Sequence, residues 1–328
     1  MPSRTNCAGV ELDFNQAKRG CAMRIGISLG EPAGSGALTQ LADDIRRAAD
    51  DGFASAWLLN IFGLDALTAL AVAGHGVGGI ELGTAVVPTY PRHPAALAQQ
   101  ALTVALALEG RLALGIGLSH KIVIEDMFGY SFDRPARHMR EYLSVLVPLL
   151  DGETAALDGE TVSAHIGLST PRVGRPPLLL AALAPQMLRL AGQRADGTIL
   201  WMTGPATVRD YVVPGITAAA RKAGRPAPRV VCQLPVWVTD DASAARTAAN
   251  KFFALYGQLP SYRAMLDREG AEGPGDVAIT GREESVAAQI AALADAGVTD
   301  FVAVDYSQGA DQPRTRALLK SLAGSAAG

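Results

Sequence analysis

The chain reads as an α/β protein, a (β/α)8 TIM barrel with insertions, and three observations predict this. Eight short apolar segments alternate with stretches of helical periodicity, the pattern of a parallel sheet wrapped by helices. Those segments are near-continuous apolar runs, as parallel strands covered on both faces require. A length of 328 residues fits one large barrel, with a doubly wound open sheet or two ordinary domains as the alternatives.

The first strand is expected over 24–29, and a helix follows through Leu38, Leu41, Ile45 and Ala48, with Asp43, Asp44, Arg46 and Arg47 outward. Strands are then expected over 55–60 and 80–87, separated by a helix over 65–73. Pro94 opens the next helix, where its missing N–H costs nothing. The fourth strand, 112–117, carries Gly115 and Gly117. Glycine weakens a strand, so both positions need a molecule or backbone that approaches closer than a Cβ permits. A helix follows over 137–150, and residues 151–176 break the rhythm as a hairpin insertion. The later strands are expected over 177–182, 198–201, 229–237 and 300–304, with helices over 185–194, 206–223, 242–268 (broken near Pro260) and 283–296. Residues 1–22 are read as an N-terminal arm, disordered or preceding the native start, and 23–328 as a single barrel domain.

Composition excludes several functions. A hydrophobic content of 49% and mean hydropathy of +0.18 support a large core. A net charge of −3 and 5% aromatic residues give neither the basic field nor the stacking platforms of a nucleic-acid binder. Cys7, Cys21 and Cys232 lack disulfide or zinc spacing, so a cytoplasmic location is expected. No apolar run spans a bilayer, and residues 1–22 lack the apolar stretch of a signal peptide.

Ligands of such barrels sit at the C-terminal ends of the strands. Ser119 and His120 follow the glycine-bearing strand there; His120 either meets a ligand or moves a proton, or it caps its loop. Ala182, Leu183 and Ala184 lead into a helix opened by Pro185, a place where free amides hold phosphate, or else an ordinary tight loop. The string from Gly74 to Gly79 matches GxGxxG but follows a helix and precedes a strand, the reverse of a dinucleotide site. The histidines show no metal-ligand spacing, and no nucleophile elbow is present.

Four stretches together carry a resemblance: Gly83-Thr84-Ala85-Val86-Val87-Pro88, Pro94-Ala95-Ala96-Leu97-Ala98-Gln99-Gln100, Gly110-Arg111-Leu112-Ala113-Leu114-Gly115-Ile116-Gly117 and Ala195-Asp196-Gly197. The chain resembles the bacterial luciferase-like superfamily, in particular its deazaflavin-dependent oxidoreductases. That resemblance implies a luciferase-like barrel holding coenzyme F-420 or FMN at its top face, often as a homodimer. It implies a bulge at Ala85–Val86 with a non-prolyl cis peptide behind the cofactor ring, and cofactor contacts from Asn60, Thr84, Ala85, Val86, Ile116, Gly117, Ser119 and His120. Ala182, Leu183 and Ala184 would take the phosphate. Relatives often carry Asp-His-Phe after the second strand, where this chain has Asn60-Ile61-Phe62. Either His120 substitutes as the catalytic group or the reaction needs no protein proton donor. The function implied is hydride transfer between reduced coenzyme F-420 and a small organic substrate; the alternatives are an FMN-dependent monooxygenase and a non-catalytic flavin-binding protein. Gly117→Leu is expected to abolish cofactor binding while leaving the fold.

Overall fold

The computed structural model describes residues 23–326; residues 1–22, with the arm expected there, lie outside the described residues. In chain order the elements are β1 (Arg24–Ser28), α1 (Ala37–Asp50), β2 (Ser55–Leu58), α2 (Ala66–Ala73), β3 (Glu81–Thr84), β4 (Val87–Pro88), α3 (Pro94–Ala107), β5 (Leu112–Gly117) and α4 (Pro135–Asp151). The hairpin strands β6 (Ala155–Asp158) and β7 (Ser163–Ile166) follow, then β8 (Leu178–Ala181), α5 (Pro185–Arg194), β9 (Gly197–Trp201), α6 (Pro205–Thr207) and α7 (Val213–Lys222). The chain ends with β10 (Arg229–Val238), α8 (Ala242–Phe252), α9 (Ala254–Gln258), α10 (Pro260–Glu269), α11 (Pro274–Val277), β11 (Ile279–Gly281), α12 (Glu283–Asp295), β12 (Asp300–Asp305) and α13 (Asp311–Ala326).

The strands pair in parallel in the order β1-β2-β3-β5-β8-β9-β10-β12, and β12 pairs β1, so the sheet closes into an eight-stranded barrel. β4 prolongs β3, and β11 adds to the outer edge of β10. The open-sheet alternative falls with that closure.

Side chains alternate along each strand between the lumen and the shell beneath the helices. The lumen layer contains Trp57, Ala113, Leu179, Ile199, Val231 and Val302. Trp57 is the largest of these, and two glycines make room for it. A Cβ on Gly83 would stand 2.2 Å from the indole ring, and one on Gly26 only 2.3 Å from Ser55 Oγ, which accepts the Trp57 Nε1 hydrogen bond at 2.8 Å. Below this layer four charges close the lumen. Arg229 reaches Asp300 at 2.7 Å and Glu81 at 2.9 Å, and Arg24 reaches Asp300 at 3.0 Å. Burial opposes the charge of Arg229, but its hydrogen bonds to Glu81 and the charge of Asp300 more than offset this and raise its pKa.

The hairpin is tied to α4. Glu141 accepts from Thr161 N at 2.7 Å and Thr161 Oγ1 at 2.6 Å, while Arg134 and Arg137 both pair with Glu160. His93 caps α3, accepting from Ala95 N at 3.3 Å through Nδ1, so its Nε2–H donates to Ser163 O at 3.2 Å.

Three details depart from the sequence reading. The inward stripe of α1 starts at Ala37, and Leu38 is exposed, because the i, i+4 stripe of Ala37, Leu41 and Ile45 passes beside it. The helical stretch after β10 is three helices, interrupted at Phe253 and Leu259. β11 and α13 were not anticipated: one is three residues long, and the other buries the stripe Thr315, Leu319 and Ala323, too weakly apolar to stand out. Among the described residues no helix is long and apolar enough to cross a membrane, and no group of three or more His, Cys, Asp or Glu could hold a metal.

Candidate cofactor and substrate site

The third barrel strand is discontinuous at its top. Gly83 pairs Ala113 and Val87 pairs Ile116, so three residues of this strand oppose two of β5, a bulge. The Thr84 hydroxyl spans the gap, accepting from Gly115 N at 2.9 Å and donating to Gly115 O at 2.8 Å. The Ala85–Val86 peptide within the bulge is cis. Ala85, Val86 and Ala181 are partly buried, pack on the lumen layer and form an apolar floor at the C-terminal ends of their strands.

Both glycines of β5 serve that floor, though by contact with the chain itself. A Cβ on Gly115 would stand 2.0 Å from Thr84 O, and one on Gly117 would stand 2.8 Å from Val86 Cγ2 and 3.1 Å from Ala181 Cβ. The close approach required by these positions is therefore made by the bulged strand. A leucine at Gly117 would displace Val86 and Ala181, so Gly117→Leu would not leave the fold untouched as expected. The side chains of Ile116 and Ala182 are fully buried in the shell under the helices, since the alternation that turns Gly117 and Ala181 inward turns their neighbours outward.

Asn60 has a local task, accepting from Ala66 N at 3.0 Å and so steadying the start of α2. Ser119 adopts a left-handed backbone, φ 60°, where the chain turns off β5, and Met202 does the same, φ 52°, at the top of β9. His120 is half-buried; its ring lies 5.6 Å from that of Tyr262 in α10, and burial lowers its pKa, leaving it neutral at pH 7. Its side chain makes no hydrogen bond among the described residues, so it does not cap its loop. Leu183 O accepts from Tyr211 Oη at 2.8 Å, and the Arg268 guanidinium lies 4.1 Å over the Tyr211 ring. Ala184 starts α5 without a side-chain cap, so the first-turn amides are open to an anion.

Sequence reasoning missed the residues opposite this floor. The segment between β10 and β11 brings Phe253, Tyr256 and Tyr262 over the mouth; Tyr256 meets Trp201 edge-on at 5.6 Å and Tyr262 at 5.3 Å. Trp201 Nε1 and Gln233 Nε2 are buried without a hydrogen-bond partner. The one signal was a lone glutamine inside the apolar run of β10. A cleft of about 570 Å³ opens on the flank of β10 and β11, and two of its rim charges pair with each other, Arg282 with Asp240 at 2.7 Å.

His138, also missed, sits behind the third strand. Its ring stacks on Tyr90 at 3.9 Å and its Nε2 meets Thr89 Oγ1 at 3.1 Å. Burial pushes its pKa down to about 4 from 6.5. Between those values the unfolded chain binds a proton that the folded chain refuses, so stability is complete above pH 6.5 and falls as the pH drops toward 4. The expected loss is about 3 kcal/mol. Urea midpoints at pH 7.5 and 4.5 read it, and His138→Gln should flatten this part of the profile; an unchanged slope would refute the assignment.

The apolar floor and the uncapped first turn of α5 lie at the C-terminal ends of the barrel strands, where ligands of such barrels sit. The chain is a member of the luciferase-like monooxygenase family, whose model matches residues 20–300. It is 27% identical over 295 residues to the 5,10-methylenetetrahydromethanopterin reductase of Methanolobus tindarius, covering 80% of this chain and 89% of that one. The solved coenzyme F420-dependent tetrahydromethanopterin reductase of Methanopyrus kandleri is similar with a TM-score of 0.77 at 23% identity, over 92% of this chain and 98% of that chain. The oxygenating constituent of 3,6-diketocamphane monooxygenase of Pseudomonas putida, in complex with FMN, matches with a TM-score of 0.72 at 18% identity, over 92% and 97% of the two chains.

Proposed function

We propose that this protein is an oxidoreductase that passes a hydride between reduced coenzyme F-420 and a small organic substrate. The observation that carries the reading is the apolar floor of Ala85, Val86 and Ala181, which offers one face to a flat ring and leaves the other toward Trp201 and Tyr262. When bound, the deazaflavin supplies two-electron hydride chemistry without oxygen activation. Ser119 and His120 line the β5 side, and the amides after Ala184, with Arg268, hold the phosphate. A putative coenzyme F420-dependent oxidoreductase of Mycobacterium tuberculosis, 27% identical over 252 residues, supports the deazaflavin reading.

Titration of the purified protein with oxidised coenzyme F-420 and separately with FMN, followed by fluorescence, tests this. Micromolar or tighter binding of the deazaflavin alone is expected. Preference for FMN would replace the reading with a luciferase-like monooxygenase, and oxygen consumption with reduced FMN would then follow. Binding of neither would sink both.

His120, half-buried beside Tyr262, is the group placed to hold or move a proton. His120→Ala should lower kcat by roughly 100-fold, the low end of general acid–base contributions, while cofactor Kd changes less than threefold. An equal rate would return it to a packing role.

A homodimer is part of the proposal. α2 and α3 contain no charged residue and leave Val72 and Leu106 exposed on neighbouring helices. Val72→Glu with Leu106→Glu should shift the protein to a monomer by light scattering, and an unchanged mass would exclude this face.

A further inference from the structure

Two donors at the top of the lumen stand side by side with no acceptor. Trp201 ends β9, and Gln233 is its register partner in β10. Two residues earlier on each strand, Ile199 and Val231 lie in the lumen layer, so Trp201 and Gln233 face the same side one step nearer the mouth. Gln233 is only 4% exposed, and both Trp201 Nε1 and Gln233 Nε2 are unpartnered. Native proteins rarely leave buried N–H groups unpaired, and where they do a ligand or an ordered water explains it.

The surroundings limit what that ligand can be. Phe253 and Tyr256 meet the Trp201 ring edge-on at 5.5 and 5.6 Å, and His120 and Tyr262 complete the wall. Burial raises the pKa of both tyrosines and lowers that of His120, so the wall is uncharged at neutral pH. An anion bound by two neutral donors there would be buried without a countercharge. Further out, the segments after β2 and β5 bearing Phe62, Ile122 and Met127, and the helices between β10 and β11 bearing Phe252 and Leu255, expose large apolar side chains. Two neighbouring donors suit one oxygen with two lone pairs.

We propose that Trp201 and Gln233 bind an acceptor oxygen of the substrate, and that the substrate is a neutral, largely apolar carbonyl compound. This deepens the function proposed above, placing the substrate between the aromatic wall and the cofactor floor.

The test uses three matched probes: 4-phenyl-2-butanone, butylbenzene without the oxygen, and the anion 3-phenylpropionate. Each is titrated calorimetrically against the free protein and against protein saturated with oxidised coenzyme F-420. The ketone is expected to bind at least tenfold more tightly than either comparator. Gln233→Leu and Trp201→Phe should each remove most of that advantage while cofactor Kd stays within twofold. Equal binding of ketone and hydrocarbon, tighter binding of the carboxylate, or binding of none at millimolar concentration would overturn the proposal. Thermal unfolding is a second readout. Gln233→Leu should hold or raise Tm, because it removes an unpaired buried amide; a fall of several degrees would reveal an internal partner and also overturn it. Failure of coenzyme F-420 to bind would remove the cofactor reading alone, since the free-protein titrations report on the two donors independently.

Discussion

Replacing Asp300 by alanine is expected to destabilise the protein by about 3–5 kcal/mol, the cost of leaving a buried ion network without its anion. Asp300 is 2% exposed and lies between two guanidinium groups: Arg229 Nη2 at 2.7 Å and Arg24 Nη1 at 3.0 Å. Its second oxygen accepts from Thr299 Oγ1 at 2.6 Å. Glu81 alone would then face both arginines from the third strand. Exposed ion pairs contribute about 0–1 kcal/mol, so a loss that small in urea unfolding would mean the bottom of the barrel is wet. The double change Arg229→Met with Asp300→Leu should recover part of the loss, because an apolar pair carries no unpaired charge. Turnover per folded molecule should not change, because these residues cap the lumen at the end opposite the site.

The same strand ends show which features were legible in the sequence. Strand positions were readable because buried parallel strands are continuous apolar runs, and β5 was marked further by Gly115 and Gly117 in an otherwise apolar segment. What approaches those glycines was not readable. It depends on the bulge that sets three residues of one strand against two of the next, a non-local register that no spacing within 112–117 encodes. The same limit affected Ile116 and Ala182. Which side faces the lumen follows from strand pairing, and one position along a strand exchanges lumen for shell. Trp201 and Gln233 lie on strands placed correctly from their apolar content. Their significance emerged only when the barrel brought them side by side and gave neither an acceptor. His138 lies inside α4, 49 residues from Thr89, and nothing local marks that contact.

Gly115→Ala and Gly117→Ala, two identical changes two residues apart, should have very different consequences. At Gly115 the added Cβ would fall 2.0 Å from the carbonyl oxygen of Thr84, a backbone atom fixed by the bulge and by the Thr84 hydroxyl bridge. No rotamer relieves that contact. The bulge must open, both bridging hydrogen bonds are lost, and the cost should exceed the 1–3 kcal/mol typical of overpacking, to the point where little protein folds. At Gly117 the Cβ would meet Val86 Cγ2 at 2.8 Å and Ala181 Cβ at 3.1 Å, and Val86 faces a mouth with room to turn. That change should cost at most about 1–2 kcal/mol and leave a folded barrel whose floor has shifted. Its signature would be weaker binding of coenzyme F-420, by roughly tenfold or about 1.4 kcal/mol, alongside a nearly unchanged urea midpoint. If Gly115→Ala proved the milder of the two, the bulge would not be the rigid element that shapes the floor. If Gly117→Ala bound the cofactor as well as the parent, the ring would have to lie elsewhere on the top face.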